Sequence, residues 1–125
     1  MHEVTVIRSF SAAHSLRGYR GACEELHGHN WRVEVTAAAE RLDKLGMVID
    51  FKELKRVVDE VLERLDHHHL NEIPPFNQLN PSSENLAKFI FDAVAAQMND
   101  ERARLVKCRV WESDNAFSTY YRDAE

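Results

Sequence analysis

The chain has 125 residues, two cysteines and a formal net charge of −5 at pH 7. This length can bury a core of its own, and we expect a single domain over residues 1–125. The negative charge disfavours a nucleic-acid-binding surface. No apolar run reaches the ~20 residues of a membrane helix, and the first residues do not resemble a signal peptide. Two cysteines are too few for a disulfide framework, so we expect a cytoplasmic protein with reduced thiols, no nucleic-acid partner and no membrane contact.

Apolar and polar residues alternate in four segments, which predicts four strands, and two apolar stripes at helical spacing predict two helices between them. Asp50 with Glu53 three residues later predicts a capping box at the first helix. The order ββααββ favours the α+β class, an antiparallel sheet with two helices on one face. Two edge strands and the length of the second strand predict a homo-oligomer formed by sheet extension. The expected elements are strands at Glu3 to Ala12, Asn30 to Glu40, Leu105 to Glu112 and Phe117 to Arg122, a helix from Asp50 to around Asp66–Leu70, and a helix capped by Ser82 or Ser83.

Two histidines, His27 and His29, flank Gly28 at the start of the second strand. Side chains two apart on a strand point to one face, about 6–7 Å apart along the backbone, so both can reach one ion. With His14 upstream they form a His₃ set, the pattern of catalytic zinc sites that keep a fourth position open. The pair shares its face with Trp31 unless Gly28 introduces a bulge. Imidazole suits zinc, although iron, nickel or copper can also take such ligands.

One thiol lies close to these histidines. Cys23 stands four residues before His27 in a polar loop beside Gly21, where a small buried cysteine would find little apolar cover. A neighbouring metal or imidazole favours the reactive thiolate. Cys108 alternates with apolar residues on a predicted strand and is expected in the core. A metal and a thiol in one short loop suggest an enzyme.

Two further groups can carry acid–base or binding chemistry. Asp66 precedes three consecutive histidines, and a carboxylate that orients an imidazole is a common general acid/base. Spacing alone leaves open whether His67, His68 or His69 is its partner. Glu112 ends an apolar strand, where its carboxylate could take two hydrogen bonds from an amidine-like ligand edge.

Taken together, these motifs resemble the 6-pyruvoyl-tetrahydropterin synthase/6-carboxy-tetrahydropterin synthase family. They run in the family's order over nearly the whole chain. The matching segments are Phe10-Ser11-Ala12-Ala13-His14, Cys23-x-x-x-His27-Gly28-His29-Asn30, Ile49-Asp50-Phe51 with Leu54-Lys55, Leu65-Asp66-His67-His68-x-Leu70-Asn71, Asn80-Pro81-Ser82-Ser83-Glu84-Asn85 and Glu112-Ser113.

The resemblance implies the tunnelling (T-) fold, in which ββααββ subunits join their sheets into barrels and assemble as hexamers, dimers of trimers, with the sites between subunits. It also implies a bound Zn²⁺ and a small pterin triphosphate as substrate. The implied roles are zinc ligation by His14, His27 and His29, proton transfer by Cys23 assisted by Asp66 and His67, and anchoring of the pterin ring by Glu112.

The gap between Cys23 and His27 matches the family branch that makes 6-carboxy-tetrahydropterin, acetaldehyde and triphosphate from 7,8-dihydroneopterin triphosphate, for queuosine-type deazapurines. The 6-pyruvoyl branch usually has a longer gap. Glu24 stands three residues before His27, as in a third branch that forms 6-hydroxymethyl-dihydropterin for folate, so a mixed activity stays open. A non-catalytic pterin- or purine-binding module and a simple His₃-zinc hydrolase are alternatives of other classes.

Overall fold

The computed structural model describes residues 1–20 and 24–122, and its elements follow the predicted order ββααββ. The α+β class, with two helices packed on an antiparallel sheet, is confirmed. The first two strands are longer than predicted, so that a histidine stands at the hairpin end of each. The elements are β1 (His2–His14), β2 (His27–Ala39), α1 (Phe51–Glu63), a 3₁₀ turn (Leu70–Glu72), α2 (Ser83–Met98), β3 (Arg104–Ser113) and β4 (Ala116–Tyr121).

The sheet has the strand order β1-β2-β3-β4, with each neighbouring pair antiparallel. The register of β1 against β2 runs without a shift from His2 opposite Ala39 to His14 opposite His27. The bulge that Gly28 could have introduced is therefore absent from this ladder. Since β2 and β3 lie inside the sheet, the edges available for sheet extension are β4 and the part of β1 before Ser11, because residues 66–69 bond to Ser11 and Ala13.

Helix α1 begins where the sequence predicted. The side chain of Asp50 caps it by accepting a hydrogen bond from the Lys52 N–H at 2.8 Å. The predicted capping box is wrong in its second half, because Glu53 pairs with Arg56 instead of returning to the cap. The helix also ends at Glu63, earlier than expected.

The early end of α1 has a local cause. The N–H groups of Arg64 and Leu65 donate to carbonyls three residues back, a 3₁₀ pattern that tightens the last turn. His67 then takes a φ of 60°, a left-handed conformation that no helix continues through.

Helix α2 is capped by Ser82, whose Oγ accepts a hydrogen bond from the Asn85 N–H at 3.2 Å. Both helices turn their apolar stripes to the sheet, and Cys108 is fully buried, as expected. The largest side chains of this core include Trp31, Phe76, Leu54, Leu65, Leu86 and Ile90.

Among the described residues, no helix covers the other face of the sheet. On it Arg32 lies over the Trp111 ring and Arg109 over the Phe117 ring, each guanidinium 4.2 Å from the ring centre. Within residues 1–20 and 24–122, no strand pairs with the outer side of β4. No helix in these described ranges has the length and apolar character needed to cross a membrane.

Candidate metal and acid–base site

Three histidines meet at the end of the β1–β2 pair where the connecting loop leaves the sheet. His14 ends β1 directly opposite His27 at the start of β2, and His29 follows on the same face. The Nε2 atoms of His14 and His27 are 3.1 Å apart, and the ring centres of His27 and His29 are 4.6 Å apart. The shared face predicted for His27 and His29 is confirmed.

Backbone carbonyls assign the protons on two of these rings. His14 Nδ1 lies 2.7 Å from the Pro81 carbonyl and His27 Nδ1 lies 2.9 Å from the Glu25 carbonyl. A carbonyl only accepts, so each Nδ1 carries the proton and each Nε2 presents a lone pair. Two lone pairs that face each other at 3.1 Å are favourable when a cation lies between them. Ligands about 2.0–2.1 Å from a tetrahedral zinc would stand about 3.3–3.4 Å apart, so the spacing fits such an ion.

His29 and Glu112 complete this group. His29 Nε2 is buried without a hydrogen-bond partner and lies 3.4 Å from Glu112 Oε1. Burial lowers the pKa of His29, partly opposed by the Glu112 carboxylate, which favours the neutral imidazole that binds metals. One ligand atom from each of His14, His27, His29 and Glu112 lies within 4.8 Å of every other. These residues can hold a divalent metal ion.

Trp31 forms the floor of the site. It is fully buried, and its ring meets those of His14 and His29 edge-on with centres 4.9 and 5.1 Å away. Its indole N–H donates to the Ala12 carbonyl at 3.2 Å, and Phe10 stacks on it. Sequence alternation placed Trp31 on the histidine face, but gave no signal that it supports two of the rings.

Asp66 and His67 form a pair at the outer edge of β1. Asp66 Oδ1 accepts hydrogen bonds from the Ser11 N–H and from His67 Nδ1, both at 2.8 Å. The Ser11 N–H, and then His67, hold the pKa of Asp66 below its usual range. The His67 N–H also donates to the Ser11 carbonyl at 2.6 Å, while 79% of its side chain stays exposed. The pair is thus bound to Ser11, which lies three residues before His14 on β1.

The other two histidines of this run have different partners. His68 Nδ1 contacts the Asp66 carbonyl at 2.7 Å, and His69 Nδ1 lies 3.4 Å from Glu72 Oε1. Of these three histidines, only His67 pairs with the Asp66 carboxylate. Spacing along the chain could not make that choice, because it depends on the left-handed backbone at His67.

Cys23 lies outside the residues that the structure describes. Its neighbour Glu24 is described: the Glu24 N–H donates to the Leu16 carbonyl at 2.9 Å, and its Oε1 lies 3.7 Å from His27 Nδ1. Glu24 therefore stands beside a histidine of the metal group.

Comparison with known proteins identifies the family. The sequence model described as PTPS, 6-pyruvoyl tetrahydropterin synthase, matches residues 3–123. The chain belongs to the 6-pyruvoyl tetrahydropterin synthase family. The solved structure of Caenorhabditis elegans 6-pyruvoyl tetrahydropterin synthase superposes with a TM-score of 0.81 at 28% identity and covers 98% of each chain. The T-fold that the sequence implied is thereby confirmed.

Relatives in the 6-pyruvoyl tetrahydropterin synthase family carry more than one activity name. The 6-carboxy-5,6,7,8-tetrahydropterin synthase of Synechocystis sp. is 41% identical over 88 residues, which is 66% of this chain and 67% of the relative. The dihydroneopterin monophosphate aldolase of Pyrococcus furiosus is 38% identical over 106 residues, 85% of each. Family membership establishes a pterin-synthase type of enzyme, and the branch has to be argued from this chain's own residues.

Proposed function

We propose that the chain is a zinc-dependent 6-carboxy-5,6,7,8-tetrahydropterin synthase. It converts 7,8-dihydroneopterin triphosphate and water to 6-carboxytetrahydropterin, acetaldehyde and triphosphate, for queuosine-type 7-deazapurine synthesis in the cytoplasm. The observation that carries the proposal is the convergence of the ligand atoms of three histidines and Glu112 within 4.8 Å in a chain of this family. The four-residue step from Cys23 to His27 and the name of the Synechocystis relative favour the carboxy branch.

In this proposal His14, His27 and His29 hold Zn²⁺ through nitrogens that face one another. Bound zinc supplies Lewis acidity toward the hydroxyl oxygens of the substrate side chain. The Pro81 and Glu25 carbonyls keep the protons of two rings on Nδ1, away from the metal. Trp31 beneath the rings excludes water from one side of the site.

Proton transfer is assigned to Cys23, Asp66 and His67. Asp66, ionised at neutral pH, accepts the Nδ1 proton of His67, so that the Nε2 atom of that ring is free to take or give a proton. Cys23 acts as the second proton carrier, as a thiolate. His67 is largely exposed on a single chain, which suits a site completed by a neighbouring subunit.

Glu112 is assigned to the pterin ring. Its side chain is 38% exposed beside His29, so one carboxylate oxygen can face a ligand that approaches the metal. The planar edge of a pterin offers two parallel N–H donors, which a carboxylate accepts with two charge-assisted hydrogen bonds.

The proposal includes a homo-hexamer, a dimer of trimers, formed by sheet extension. The edge strands β1 and β4 would pair between subunits, which removes exposed strand edges. Analytical ultracentrifugation at micromolar concentration tests this, and a chain that sediments as a monomer contradicts it.

A second candidate, the branch that forms 6-hydroxymethyl-dihydropterin, is favoured by one contact. Glu24 Oε1 lies 3.7 Å from His27 Nδ1, so a carboxylate as well as a thiol can work beside the metal group. The Pyrococcus furiosus relative is named a dihydroneopterin monophosphate aldolase, and this name supports a carbon–carbon cleavage as the alternative reaction.

Product identification separates these candidates. The purified chain is incubated with 7,8-dihydroneopterin triphosphate, and the pterin products are separated chromatographically. We expect 6-carboxytetrahydropterin from the unmodified chain and from Glu24→Gln, and none from Cys23→Ala, which should still contain zinc. Cys108→Ala removes the other, buried thiol and serves as the matched control.

Four outcomes contradict the proposal. 6-Hydroxymethyl-dihydropterin that depends on Glu24 assigns the second candidate, and the 6-pyruvoyl compound as sole product assigns the 6-pyruvoyl branch. Unchanged pterin binding in Cys23→Ala, without turnover in any variant, indicates a binding module. Hydrolysis that survives Cys23→Ala indicates a simple zinc hydrolase.

A further inference from the structure

Two asparagines hold the chain just after His14 through both atoms of their side-chain amides. Asn71 accepts from the Ser15 N–H at 2.9 Å and donates to the Ser15 carbonyl at 2.8 Å. Asn80 accepts from the Arg17 N–H at 2.8 Å and donates to the Arg17 carbonyl at 2.9 Å. Each side-chain amide thus forms the two hydrogen bonds that a peptide group of a neighbouring strand would form. Together the two asparagines hold Ser15 and Arg17 in the segment that follows β1.

Asn80 differs from Asn71 in what is attached to it. The next residue is Pro81, whose carbonyl lies 2.7 Å from His14 Nδ1. The carbonyl of Asn80 itself accepts from Asn85 Nδ2 in the first turn of α2 at 2.9 Å. The residue that precedes Pro81 is therefore held from two sides, by the loop after His14 and by the start of a helix, and this fixes where the Pro81 carbonyl lies.

The ring of His14 depends on this carbonyl. His14 is only 1% exposed, so no water outside the core can replace a lost partner of Nδ1. If the carbonyl moved away, the buried Nδ1–H would lose its acceptor, and the proton could move to Nε2. A protonated Nε2 has no lone pair for a metal ion.

We propose that Asn80 is a positioning residue for the metal ligand His14. Its amide clamp on Arg17 keeps the Pro81 carbonyl on His14 Nδ1, and this directs the Nε2 lone pair toward the metal. The inference rests on the proposed metal site and adds to it a residue outside the four-residue metal group. Loss of the direct hydrogen-bond partner of a metal-bound histidine, here the Pro81 carbonyl, typically costs about 10- to 100-fold in metal affinity.

The test compares Asn80→Ala with Asn71→Ala, a matched control that removes the same two kinds of hydrogen bond from the same segment. Zinc affinity is measured by competition with a chromophoric chelator. We expect Asn80→Ala to weaken Zn²⁺ binding by about 10- to 100-fold and Asn71→Ala to change it by less than about threefold.

A second readout needs no metal. Long-range ¹H–¹⁵N NMR spectra of the metal-free protein report which ring nitrogen of His14 carries the proton. We expect Nδ1–H in the unmodified chain and in Asn71→Ala, and a mixture of tautomers in Asn80→Ala. A purely structural loss would lower the folded fraction without changing the tautomer in the molecules that stay folded.

A second variant, Asn80→Asp, keeps the acceptor for the Arg17 N–H, loses the donor to the Arg17 carbonyl and adds a negative charge. It should give an intermediate zinc affinity, and it serves if Asn80→Ala does not fold. Equal zinc affinities for the Asn80 and Asn71 variants, or an unchanged His14 tautomer in the Asn80 variants, overturn the proposal. If the unmodified chain binds no zinc, the proposed function fails instead, and the tautomer measurement still decides whether Asn80 controls His14.

Discussion

Replacement of Glu112 by glutamine separates the two roles that its position permits, metal ligand and anchor of the pterin ring. Its Oε1 lies 3.4 Å from His29 Nε2, and its side chain is 38% exposed. Glutamine keeps the shape but offers one acceptor and one donor, so at least one charge-assisted hydrogen bond to the ring edge is lost. Such a bond contributes about 1.5–3 kcal/mol, which corresponds to about 10- to 150-fold weaker pterin binding.

The assay combines calorimetric titration of a non-reactive pterin with the zinc content of the same preparation. We expect Glu112→Gln to keep its zinc and to change the free energy of unfolding by no more than about 0.5 kcal/mol, as for a partly exposed side chain outside the core. Asp114→Asn removes an equal charge two residues away and should change neither value. Loss of zinc with unchanged pterin affinity would refute the anchoring role and make Glu112 a metal ligand.

Three further predictions concern the rest of the site. The pKa of Asp66 is lowered by the Ser11 N–H, so the stability it contributes is present above its unfolded pKa of about 4 and is lost as the pH falls. In urea denaturation, Asp66→Asn should therefore weaken the acid dependence of the free energy of unfolding below about pH 4, and parallel pH profiles would contradict this. Burial raises the pKa of the Cys108 thiol to about 12. At pH 8 a thiol reagent should therefore modify only Cys23 quickly in the native protein, and equal modification rates for the two thiols would contradict the burial of Cys108. Trp31→Phe leaves the Ala12 carbonyl without the indole N–H that it accepts and opens a small cavity. The free energy of unfolding of the metal-free chain should therefore fall by about 2–4 kcal/mol, and an unchanged denaturation midpoint would contradict the packing of Trp31.

Local patterns in the sequence predicted the parts of the molecule that local rules decide. Strand alternation correctly predicted that His27 and His29 share one face. The Asp50 cap predicted where helix α1 begins, and the apolar stripe predicted which side of it is buried. The sequence also predicted that Asp66 pairs with an imidazole, but it did not predict which of the three following histidines is the partner.

Contacts between distant segments could not be read in the same way. The pairing of Asp66 with Ser11 and the contact of Pro81 with His14 join residues more than 50 positions apart. The approach of Glu112 to His29 depends on how β3 pairs with β2. The register of that pairing shifts near Thr36, where the sequence has no glycine or proline that would predict an irregularity. These features follow from tertiary packing, which no local periodicity encodes.

The most direct test of the proposed activity is the metal content of the purified chain together with its product from 7,8-dihydroneopterin triphosphate. We predict about one zinc ion per chain, held by three histidines, and 6-carboxytetrahydropterin and acetaldehyde as products. Both products should disappear when the zinc is removed and return when it is restored. A chain that retains full turnover without metal, or that yields another pterin, would contradict this prediction.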